Sequence, residues 1–136
     1  MALSISTTLA STLANAVTAA VDAGPAAGTL KVYTGAKPAT VATAPSGTLL
    51  ATFTLADPSL AAAVAGVADF DFDPDISVAA VASGDPGWFR IADSTGAGVL
   101  DGTVGTSGAD MTIPAPTWTA GSIYELASGT LTAPTS

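Results

Sequence analysis

Apolar positions recur every fourth residue near the start of the chain: Leu9, Leu13, Val17 and Val21, with Ala10, Ala14, Ala16 and Ala20 beside them. That spacing predicts a helix over residues 6–23. Ser6 or Thr7 supplies an N-cap, and Gly24 with Pro25 supplies a stop. A step of four residues overshoots a 3.6-residue turn by about 40°, so the stripe is slanted and narrow. Two packings fit it: a helix lying on its own domain, or an arm lying on a neighbour.

After Pro25 the period changes to two. Thr29 to Thr34 alternates, with Leu30 and Val32 on one face. Thr48 to Leu55 puts Leu49, Ala51, Phe53 and Leu55 on one face, and Ala68 to Phe72 alternates strictly. Further runs follow at 88–92, 98–104, 110–113, 122–128 and 129–133. Such short runs, split by Gly, Pro, Asp and Ser, predict a mainly β fold. The expected architecture is a single antiparallel β-sandwich or barrel-like domain over residues 25–136, preceded by an N-terminal helical segment over 1–24. Residues 56–66 add a short helix, with Asp57 as cap and Pro58 at its first position. The alternate prolines of residues 113–118 confine that stretch to an edge or a surface ribbon.

Composition narrows the function classes. The 136 residues fit one domain with a real core. The chain has no cysteine and no histidine, which removes disulfides, thiolate metal sites and the usual general base. Eleven acids against Lys31, Lys37 and Arg90 give a net charge of −8. Nucleic-acid backbones and anionic membranes are therefore poor partners. Only 10% of residues are charged. So sparse a surface points to cover by partner subunits. The uncharged first 21 residues lack a basic n-region and are interrupted by Ser6, Thr7, Thr8, Ser11, Thr12, Asn15 and Thr18. They read as neither signal peptide nor membrane span, and the mature protein is read as starting near Met1.

Three stretches invite a chemical reading. Asp69, Asp71, Asp73 and Asp75 begin like a calcium loop, but the places for its Gly and its bidentate Glu hold Pro74 and Ala80. The plainer reading is a strand with Phe70 and Phe72 inward and aspartates outward. Asp93-Ser94-Thr95-Gly96 resembles an aspartic-protease signature with the wrong spacing, and fits hairpin-turn chemistry. Asp101 to Met111 carries Gly102, Gly105 and Gly108 with Ser107 among them. It misses the nucleophile-elbow, dinucleotide and P-loop spacings. It reads as a strand end and a turn, with Gly105 and Gly108 supplying backbone angles and with Ser107 and Asp110 bonding local amides. No catalytic, cofactor-binding or metal-binding residue is assigned, and the chain is read as not an enzyme.

The segments 22–40, 47–58, 87–111 and the closing Ala127 to Pro134 together, in order and spacing, resemble a family of small tailed-bacteriophage virion proteins. The resemblance implies a head-decoration or minor capsid protein without catalytic residues. Its implied place is the outer capsid surface, after a period in the host cytoplasm before assembly. Its implied partners are the phage major capsid protein and its own copies, with a trimer favoured because decoration proteins often occupy three-fold positions. A tail or head–tail connector subunit is the alternative. A host-surface binding module is a further one, which requires exposed Tyr33, Trp88, Trp118 and Tyr124 clustered near acids.

Overall fold

A computed structural model describes residues 4–69, 77–126 and 130–132. The described residues form helix α1 (Thr7–Val21), then β1 (Thr29–Thr34), β2 (Leu49–Thr54), β3 (Val67–Asp69), β4 (Ser77–Ala79), β5 (Pro86–Ala92), β6 (Gly98–Gly105), β7 (Met111–Thr112), β8 (Ile123–Glu125) and β9 (Thr130–Thr132). The fold is mainly β with one N-terminal helix, as the periods predict. Its centre is a curled five-stranded sheet, a half-barrel, in the order β2-β1-β5-β6-β7. Two ribbons, β3–β9 and β4–β8, complete it.

Alternation in the central strands produces two distinct faces. Leu30 lies opposite Phe53 and Ile91, and Val32 opposite Ala51 and Phe89. All six are at most 3% exposed. Phe89 in turn lies across from Gly102, where a Cβ would fall into the Phe89 ring. Gly102 is thus a packing glycine. The helix joins the same core through Ala10, Ala14 and Val21. Two of these three are alanines, so the helix gains close approach to the sheet more than buried area.

Four features differ from the sequence expectations, each for a local reason. The helix runs over Thr7–Val21 rather than 6–23; Ser6 is the N-cap, its Oγ accepting from Leu9 N at 3.1 Å, and Asp22 is the C-cap. Its buried stripe is Ala10, Ala14 and Val21 with Val17 partly buried, while Leu9 and Leu13 are each 46% exposed. The packing on its own domain is the one realised for this stripe. A register shift opposite Val32 and Tyr33 inserts Leu50 into the core and sets Leu49 across from Tyr33. Residues 56–66 form turns rather than a helix, because their backbone donors go elsewhere. Ser59 N donates to the Asp22 carboxylate, Ala63 N to Asn15 Oδ1, and Val64 N to the Val67 carbonyl. Finally, β7 runs parallel to β6, whereas an all-antiparallel sheet was expected.

Candidate functional site

The non-core face of the half-barrel carries a polar and aromatic cluster. Cross-strand register sets Lys31 beside Arg90 and Arg90 beside Asp101; one row away, Tyr33 pairs with Trp88 and Trp88 with Thr103. Two cations side by side repel, and Asp101 relieves this. Arg90 Nε donates to Asp101 Oδ1 and Nη2 to Oδ2, both at 2.7 Å, a bidentate pair. Nη1 donates to the Thr43 carbonyl at 3.0 Å. The guanidinium lies 5.4 Å from the Trp88 ring centroid, and Trp88 stacks on Tyr33 at 4.6 Å.

The connection of residues 35–48 closes over this cluster. It supplies the Thr43 carbonyl and the Val41 methyl beside Gly98. The Arg90 and Asp101 side chains are only 9% and 2% exposed, and Trp88 is wholly buried. Donating hydrogen bonds to Asp101 holds the Arg90 pKa above its ordinary value, and burial pushes the Tyr33 hydroxyl up. So sealed a cluster offers no approach to a substrate. It fastens the 35–48 connection to the sheet. The sequence did hold a signal for it: period two in Trp88 to Ala92 places Arg90 on the face of Trp88.

The stretches with apparent chemistry resolve into turns. Asp93 Oδ1 accepts from Thr95 N, Thr95 Oγ1 and Ala97 N, closing the β5–β6 hairpin, where Gly96 has φ 91°. The Thr95 hydroxyl, aided by these amides, holds the Asp93 carboxyl below its usual range. Asp110 Oδ2 accepts from Thr103 N and Oγ1, and Asp110 N donates back to Thr103 Oγ1. These bonds, the Thr103 amide foremost, also lower its pKa. Gly108 has φ 67°, as a left-handed turn requires. Gly105 does not need its missing side chain: its φ is not positive, and an added Cβ would meet Ala109 at an ordinary 3.4 Å. Of the four calcium-loop acids, Asp69 pairs through its backbone with Thr130, and Asp71, Asp73 and Asp75 lie outside the described residues. Among the described residues no three acids gather as metal ligands, and no helix is long and apolar enough to cross a membrane.

One cleft, of about 260 Å³, opens beside β8. Pro114, Ala115, Trp118, Ile123, Tyr124 and Glu125 line it. Trp118 stacks on Tyr124 at 4.5 Å, and the Tyr124 hydroxyl accepts from Thr119 N. Among the described residues Glu125 is the sole carboxylate of this lining, whereas glycosidase chemistry needs two. The four aromatics that a glycan module would display form two separate stacks, and both tryptophans are buried. Several large apolar side chains are also open: Leu9, Leu13, Val64, Val81 and Ile123 are between 46% and 76% exposed. Compared with known proteins, the chain matches no family model, no curated protein and no solved structure.

Proposed function

We propose that this chain is a structural protein of a tailed-bacteriophage virion, most specifically a decoration protein on the outer surface of the head. The resemblance over most of residues 22–133 suggested this class. The observation that carries the location is the charge distribution. Arg90 is committed to Asp101, so ten acids face two lysines over the rest of the chain. Packaged DNA is a dense polyanion, and a subunit of this charge suits the outside of the shell and not its lining.

The mechanism is cementing. Each copy bridges capsid subunits and neighbouring copies, in threes where it caps a three-fold position, and buries apolar area across the joint. Large exposed aliphatic side chains on a surface with few charges support contact of this kind. The test adds purified protein to capsids lacking it. Saturable binding to the outer surface, with a rise in capsid melting temperature, is expected. Localisation to the tail in reconstructed virions would overturn the head assignment and favour a tail or connector subunit.

A further inference from the structure

Helix α1 carries two apolar seams, one residue apart. Ala10, Ala14, Val17 and Val21 step by four, three and four residues and pack into the core. Leu9, Leu13, Ala16 and Ala20 repeat the same steps, and all four are exposed. A 4-3-4 spacing is the seam of a coiled coil. The second seam is turned about 100° from the first. On the opposite flank, Ser11, Asn15 and Asp22 bond the loop at 59–66. The exposed seam therefore points away from the body of the domain.

We propose that this seam pairs with the same seam of a second copy, antiparallel, about a two-fold axis between residues 13 and 16. The residues themselves select that arrangement. Antiparallel pairing sets each leucine against an alanine of the partner, Leu9 on Ala20 and Leu13 on Ala16, so large fits small. Parallel pairing stacks leucine on leucine at one end and alanine on alanine at the other, which splays the helices. Charge is compatible with the contact. The chain carries −8, so most faces of a second copy repel, but α1 has no charged residue. The nearest acid, the C-cap Asp22, lies on the opposite flank with its carboxylate bonded to Ser59 N, and so stays out of the contact.

The contact is small. A 15-residue helix is about 22 Å long and about 10 Å wide, so each copy buries roughly 200 Å², well below the ~800 Å² of a stable partner. Pairing is weak in dilute solution and becomes effective where a shell holds copies side by side. It is a contact additional to any three-fold one, and it does not depend on the head assignment.

The test is sedimentation of the full chain up to about 1 mM. The wild type should show a concentration-dependent monomer–dimer equilibrium. Leu13→Glu and Ala16→Lys should each weaken it about tenfold or more, while circular dichroism and melting show the fold intact. An equimolar mixture of the two variants should recover association, because residue 13 of one copy opposes residue 16 of the other. Ala19→Lys makes the same change of charge at an exposed position about 90° from the seam, and should associate like wild type. A wild type that stays monomeric, or seam variants that associate like wild type (as trimers or otherwise), overturns the proposal. So does a mixture no tighter than its components. None of these results bears on whether the protein binds capsids.

Discussion

Removing the Asp101 carboxylate should be the most damaging single change of a charged residue in this domain. In Asp101→Asn the guanidinium of Arg90 stays where it is, under the 35–48 connection, with its side chain 9% exposed. Of its two hydrogen bonds of 2.7 Å, one persists to the asparagine carbonyl oxygen and the other is lost, where the new amide presents a donor to a donor. A bond to a charged group contributes about 1.5–3 kcal/mol, and stranding one partner of a buried pair costs about 3–5 kcal/mol. The lost bond sets the lower bound and the stranded charge the upper. For a chain of this length that lowers the melting temperature by about 5–20 °C. Urea unfolding followed by tryptophan fluorescence is the assay, since Trp88 sits against both Tyr33 and Arg90. The double variant Arg90→Met with Asp101→Leu removes both charges and should return to within about 2 kcal/mol of wild type. If Asp101→Asn costs less than ~1 kcal/mol, the pair is solvated and the connection does not seal it. If the double variant is as unstable as the single, the damage is lost packing and not a stranded charge.

Other changes test the turns, the cap and the surface. Ser107→Ala should stay within about 0.5 kcal/mol of wild type in urea unfolding, as a surface change does; Gly108→Val, forcing a β-branched residue to a φ of 67°, should cost more than ~1–2 kcal/mol. Ser6→Ala removes the acceptor for Leu9 N and should cost about 1 kcal/mol, seen as lost helical dichroism and a lower melting temperature. The Asp93 and Asp110 carboxyls titrate below their unfolded value of about 3.9. The stability they contribute is present above that pH and is lost as pH falls through their folded values. Melts from pH 6 to pH 2 should show the loss, and Asp110→Asn should flatten it. Raising salt from about 20 to 500 mM should strengthen pairing between copies by screening their repulsion, and a constant or weakened sedimentation equilibrium would contradict the apolar contact.

The elements whose pattern had one solution were legible. Leu30 with Val32, and Ala51 with Phe53, fall on the core face because period two allows nothing else. Leu49 was misplaced because a register shift lies in backbone pairing, not in side-chain character. Residues 56–66 satisfy a helix rule locally, yet Asp22 and Asn15, more than 35 residues away in sequence, capture their donors. That competition is invisible to a local reading. The helix itself was located correctly, and Val17 and Val21 of its predicted stripe face inward, but Leu9 and Leu13 do not. Two seams with identical spacing lie side by side, and a stripe stepping by four crosses from the outer one to the inner. The sheet accepts the alanine seam because small residues allow the helix backbone to come close.

Leaving Leu9 and Leu13 outside while Ala10 and Ala14 pack inside is a poor arrangement for an isolated domain. Exchanging the seams would bury about two more methylene groups, since Val17 and Val21 would leave the core as the leucines enter. The arrangement is reasonable if both seams are used, one within the chain and one between chains. The charge pattern leads to the same view independently. The acids begin at Asp22, after the last helical residue, and the acidic run at 69–75 is distant in sequence. From Leu9 to Asp22 is about 20 Å along the helix, more than two screening lengths at physiological salt. A strongly acidic chain thus keeps one uncharged apolar strip, long enough for a helix contact and charge-free from end to end. In the proposed pairing, repulsion over the remaining surface would orient neighbouring copies toward that strip. Charge that limits disorderly aggregation would then also select the face by which copies meet.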